Sequence, residues 1–122
     1  MTVYRVENAA GEGMYRNGVF SDRDCPLNDC YDMYRHPMPS SDDALCKSIG
    51  TDMVYWHKYH FGFSSISQLK NWLYTDDVRS KLANAGFVIS VYECRTEFHG
   101  DTQAVFIRDT ARKVAALNLE TI

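Results

Sequence analysis

A chain of 122 residues can bury the core of one domain and is too short for two of ordinary size. Apolar residues at 45%, aromatics at 13% and charged residues at 24% exclude a disordered or collagen-like chain. The formal charge of -3 comes from 13 basic and 16 acidic residues scattered without a block of either sign. That leaves neither the basic face of a nucleic-acid binder nor the acidic excess of a DNA mimic, and no apolar run approaches the roughly 18 residues that span a bilayer. With no export pattern at the N-terminus, the expectation is a soluble protein that stays in the cell that makes it.

Thr2 to Val6 reads as a first strand, rich in β-branched and aromatic residues but interrupted by Arg5. A strand arginine is ordinarily on the solvent face, and a functional role requires the opposite. "NAAGEG" breaks the strand, and a short second strand or turn is expected over Met14 to Phe20. Residues 21–41, with all three prolines and many Asp, Asn and Ser residues, read as one long irregular loop. Cys25, Cys30, His36 and Cys46 could be assembled into a zinc site, but the C-x4-C spacing is loose and no second tight pair follows. Reduced, metal-free thiols are therefore expected at Cys25, Cys30, Cys46 and Cys94.

Ser40 or Ser41 before two aspartates, with Gly50 as a stop, predicts a short helix from Asp42 to Ile49. "MVYWHKYHFGF" is extended and aromatic. Its Tyr55, Trp56, Tyr59, Phe61 and Phe63 suit either a core or the wall of a flat-ligand or partner site. His57 and His60 point to opposite sides of an extended segment and read as hydrogen-bonding histidines rather than metal ligands. In "FSSISQLKNWL", Ser65 with Gln68 fits a capping box, and Ile66, Leu69, Trp72 and Leu73 form one apolar stripe, predicting a helix from Ile66 to Tyr74. Thr75 or Asp76 caps a further helix, Val78 to Ala85, that stops at Gly86. "FVISVYEC" reads as a central strand that pairs, across the turn "EFHGD", with a strand "TQAVFI". "RDTARKVAALNL", with Asp109 as a cap, predicts a terminal helix. The fold class that follows is α+β: one domain over residues 1–122, a mixed, mostly antiparallel sheet with flanking helices.

This order and its motifs resemble the mono-ADP-ribosyltransferase fold of the pertussis- and cholera-toxin type. "VYRVENAAGEGMYRNGVF" is similar to that family's first-strand Tyr-Arg motif, "FGFSSISQLKNWL" to its aromatic strand running into serines and a helix, and "GDTQAVF" stands where it has a catalytic Glu-x-Glu. The resemblance implies NAD as cofactor, bound by Tyr4, Arg5, Phe63, Ser64, Ser65 and Ser67. It also implies catalysis by a carboxylate, where this chain has Asp101 and, in place of the last glutamate, Gln103. An amide cannot stabilise the developing sugar cation by charge, which leaves Glu97, or Glu93 at a strand end, as the nearest substitutes. For the arginine and serines, the residue chemistry is consistent with two roles each: forked phosphate binding or strand surface for Arg5, ligand orientation or plain helix capping for the serines.

A second resemblance is to small uncharacterised proteins of tailed phages, through the Tyr-Arg start, an HP-containing loop and the "FGF-x-S-x-x-Q-L-x-x-W" pattern. Together the two imply a phage accessory protein in the cytoplasm of an infected bacterium. Its expected mode is binding: inhibition of a host defence protein, as an anti-CRISPR does, or capture of a nucleotide or ADP-ribose-like ligand. The alternative is an active NAD-dependent mono-ADP-ribosyltransferase that modifies a host protein. No nucleic-acid or membrane partner is expected.

Overall fold

The computed structural model describes residues 1–14, 43–49, 59–95 and 97–122. The expected strand after Met14, the loop over 21–41 and the residues Cys25, Cys30, His36, Tyr55, Trp56 and His57 lie outside the described residues.

The first strand, β1, runs Thr2–Glu7 as its composition predicts. Helix α1 covers Asp43–Ile49 and strand β2 covers Tyr59–Gly62. Helix α2, Ile66–Trp72, starts at its predicted cap, with the Ser65 side chain accepting from the Gln68 backbone N–H. Helix α3, Asp76–Asn84, starts one turn-fraction earlier than its apolar residues suggest, because Thr75 caps it through the Val78 N–H and Asp76 and Asp77 fill the first turn. At its end the Phe87 N–H donates to Leu82 and the Gly86 N–H to Ala83, satisfying carbonyls that the helix leaves open. Strand β3, Val88–Glu93, then leads to β4, Glu97–His99, β5, Ala104–Ile107, and β6, Arg112–Leu117, after which the chain ends in a 3-10 turn, Leu119–Thr121.

Two expectations fail in this last third. "TQAVFI" does not pair with "FVISVYEC"; the expected turn contains β4, and β4 is the hairpin partner of β5. The tight turn is one step later, where the Gly100 N–H donates to the Gln103 carbonyl. Nor is the terminal stretch a helix. Asp109 sits in a single 3-10 turn, Arg108–Thr110, and β6 pairs antiparallel with β3. Ala, Lys, Arg and Leu are good helix formers, but a preference of tenths of a kcal/mol per residue yields to a ladder offered by an open strand edge.

Among the described residues the strands form two three-stranded antiparallel sheets, ordered β1-β3-β6 and β2-β5-β4. They meet where Tyr4 and Phe63 exchange backbone hydrogen bonds of 2.8 Å each. Gly62 makes that approach possible: a Cβ there would stand 2.6 Å from Val3 Cγ1 and 3.1 Å from the Tyr4 carbonyl. The largest core lies between the first sheet and helices α2 and α3, joining Val6 and Ile89 to Phe63, Leu69, Trp72, Leu73, Val78, Leu82 and Phe87. Phe61, Phe63 and Trp72 pack ring against ring, with centroids 5.0–5.6 Å apart. A second cluster, Val3, Tyr92, Cys94 and Phe106, fills the space between the sheets, and a third seats α1 on the β4–β5 hairpin through Leu45, Ile49 and Val105. The result is an α+β fold with antiparallel sheets and few helices.

Candidate functional site

Period-two alternation in β1 puts Val3, Arg5 and Glu7 on one face, and all three are buried. Arg5 is therefore neither on the solvent face nor alone. Its Nε donates to Glu7 Oε2 at 2.9 Å, its Nη1 to the Phe61 carbonyl at 2.8 Å and its Nη2 to the Gly11 carbonyl at 3.3 Å. "NAAGEG" exists to close over it. The Asn8 side chain accepts from the Ala10 and Glu12 N–H groups, folding the loop back, and a Cβ at Gly13 would come within 2.9 Å of Arg5 Nη2.

On the neighbouring strand Tyr92 donates its hydroxyl to Glu7 Oε1. Arg108 donates to the same hydroxyl from Nε and Nη2, at 3.3 and 3.1 Å, and lies 5.7 Å from the Tyr92 ring centre. Burial pushes the Arg5 guanidinium below its usual value, opposed by Glu7. Burial alone would raise the Glu7 carboxyl, but the Tyr92 hydroxyl and the Arg5 guanidinium outweigh it and hold Glu7 below the ordinary carboxylate range. Burial and the bond to Glu7 push the Tyr92 phenol up.

A second polar cluster joins the β2–α2 junction to β4. Ser64 Oγ donates to Glu97 Oε1 at 2.8 Å and lies 2.7 Å from His99 Nδ1, which is itself 3.0 Å from Glu97 Oε1. The Glu97 side chain is 2% exposed and that of His99 55%. A serine–histidine–acid relay needs the acid on one ring nitrogen and the serine on the other. Here both contacts fall on Nδ1, so the ring cannot take a proton from Ser64 and pass it on while Glu97 holds it. Gln68 extends the cluster: its Oε1 accepts from the Ser64 N–H at 2.9 Å, and its Nε2 donates to the Gly100 and Asp101 carbonyls at 3.3 Å each.

The structure thus brings Ser64 and Glu97 together and ties both, through Gln68, to the turn that carries Asp101. Arg5 belongs to the other cluster, with Glu7 and Tyr92. Tyr4 joins the sheets through its backbone, Phe63 lies in the core, Ser65 is the α2 cap, and Ser67 is exposed on α2. The Asp101 side chain is exposed, and Gln103 is fully buried. Sequence reasoning passed over Glu7, Tyr92, Arg108 and His99. The spacing of Arg5 and Glu7, two apart on a strand, was the signal available for the first.

Among the described residues, no group of three or more His, Cys, Asp or Glu side chains is placed to hold a metal ion. Cys46 and Cys94 are thiols. Burial, with Glu97 nearby, raises the Cys94 thiol. No helix among the described residues is long and apolar enough to cross a membrane.

Comparison with curated proteins and with solved structures gives no match. A protein-family model described as "Bacteriophage T4 Y00F protein" matches residues 1–120, nearly the whole chain, and carries with it the phage origin that the Tyr-Arg start and the "FGF" pattern suggested; the chain belongs to that family.

Proposed function

We propose that this phage protein is an accessory factor that acts in the infected cell by binding a host protein, as an inhibitor of a defence system would, and not by chemical turnover. One observation carries the reading: Arg5, the side chain that the transferase resemblance would give to NAD, has each of its three nitrogens engaged inside the fold, on Glu7, Phe61 and Gly11. A dinucleotide could reach that guanidinium only by displacing a buried carboxylate, which costs several kcal/mol for the charge left behind. Gln103, at the place of the family's last glutamate, is fully buried as well. With its polar groups holding the fold, the molecule offers a partner mainly surface.

The transferase alternative keeps one supporting observation, the 2.8 Å contact between Ser64 and the Glu97 carboxylate, which joins the serine motif to an acid. Two measurements on the full chain separate the readings. Binding predicts no nicotinamide release from NAD, no heat on titration with NAD or ADP-ribose, and a host protein that co-purifies in stoichiometric amount from infected cells. Nicotinamide release that disappears in Glu97→Gln would reverse the conclusion.

A further inference from the structure

The two sheets have very different edges. On the first sheet, β1 is closed by its backbone bonds to Phe63; on the second, β2 is four residues long, gives its Phe61 carbonyl to Arg5 and runs into that same contact, and β4, at the far edge, is three residues long, carries Glu97 and His99 and lies against α1. That leaves β6. It has six residues, pairs on one side with β3, and has no strand on its other side among the described residues. All six residues are exposed, so neither face is covered, and Val114 and Leu117 are 45% and 37% exposed. A six-residue edge with an apolar centre is the kind of surface that proteins ordinarily protect.

The pattern along β6 selects its occupant. The β3 register skips Val114, since Val91 faces Ala115 while Tyr92 faces Lys113. That bulge confines Arg112 and Lys113 to one end and leaves Ala115, Ala116 and Leu117 as the regular stretch. Past the other end stands the exposed Glu120, its N–H held by Asn118. An open hollow lined by Ala83, Phe87, Val88, Ala116, Leu117 and Asn118 adjoins the same end.

From these features we infer that β6 pairs antiparallel with β6 of a second copy, about a two-fold axis near Ala116. At such an axis a residue meets its own copy, and alanine meets alanine without clash or like charge. Because the bulge drops one step, Arg112 lies three ladder steps from Ala116, about 10 Å at roughly 3.4 Å each, so the two copies' basic ends are farther apart than a Debye length of about 8 Å. Glu120 stands in the 3-10 turn Leu119–Thr121 just past the Leu117 end of the strand, so the two-fold brings it to the same end of the contact as Arg112 and Lys113 of the other copy. The charges are complementary to themselves under the two-fold, and the small contact makes a weak dimer that forms with rising concentration.

Sedimentation equilibrium of the full chain tests this. The expected mass rises from 14.0 kDa toward twice that value as concentration increases. Ala116→Lys sets two ammonium groups face to face and lowers the association constant by roughly tenfold or more while the melting temperature holds, since Ala116 is exposed. Lys113→Glu weakens association, and Lys113→Glu combined with Glu120→Lys restores it. A mass of 14.0 kDa at every concentration overturns the inference. A dimer indifferent to Ala116→Lys and to the charge exchange overturns it equally, because its interface would then be elsewhere.

Discussion

At the scale of residues, the Arg5–Glu7 pair decides how this protein responds to substitution and to pH. Both side chains are almost fully buried, so removing one strips the other of its 2.9 Å ion partner; without Arg5, Glu7 keeps only the Tyr92 hydroxyl and Arg108 at 3.9 Å. Arg5→Ala or Glu7→Gln should each cost about 3–5 kcal/mol of stability in urea unfolding. Replacing both with apolar residues of similar volume should cost much less, since no orphan charge remains. Arg5→Lys should not rescue, because an ammonium cannot reach Glu7, Phe61 and Gly11 with one planar fork. The pair also sets an acid limit. The folded Glu7 carboxyl lies below its unfolded value near 4.5, so its contribution is fully present above that value and drains away as pH falls through the lower folded one. Tyr92 sets the opposite limit. Its phenol is raised above its ordinary 10.0, so its contribution is intact below that value and is lost as pH rises through the higher folded one. Unfolding midpoints measured across pH should fall at both ends, and Tyr92→Phe should flatten the alkaline limb.

Elements are held chiefly by their ends. Helices α2 and α3 have seven and nine residues, too short to persist on propensity, and depend on their caps and on the core beneath them. Ser65→Ala and Thr75→Ala should each cost about 1 kcal/mol, because each hydroxyl accepts an N–H that the helix cannot satisfy itself. Gln68→Ala should cost more than either. Its side chain serves the Ser64 N–H and also straps the Gly100–Asp101 turn to the helix. Amide exchange distinguishes these outcomes: Ser65→Ala should speed exchange in the first turn of α2, whereas Gln68→Ala should loosen that turn and the β4–β5 hairpin together.

For the whole molecule, the junction of the two sheets matters most. They are joined by two backbone hydrogen bonds at Tyr4 and Phe63, and the residue that lets them meet is Gly62. Gly62→Ala should cost about 1–3 kcal/mol by overpacking, because the added methyl meets Val3 and a backbone carbonyl that cannot swing aside. The loss should appear in thermal unfolding of the whole molecule and not as local fraying, since the cluster of Val3, Tyr92 and Phe106 lies directly behind that contact.

The sequence by itself determined what is local. Strand β1, the capped starts of α2 and α3, the stop after α3 and strand β3 were all legible, because alternation, cap hydroxyls and terminal glycines act within a few residues of their effect. Ser65 caps α2 through the Gln68 N–H as a capping box requires, but the Gln68 side chain returns to the Ser64 N–H and not to that of Ser65. The tertiary structure decided what depends on partners distant in sequence. Whether "RKVAAL" became helix or strand depended on an open edge of β3, which its own propensities cannot report. Whether Arg5 faced a ligand or a carboxylate depended on Tyr92, 85 residues beyond Glu7, and on a loop drawn over it by Asn8. Ser64 meets Glu97 and His99 across 33 and 35 residues. Polar clusters of this kind leave little trace in a linear pattern, because a side chain has the same identity whether it binds a ligand or satisfies a neighbour, and only packing brings the neighbour within 3 Å.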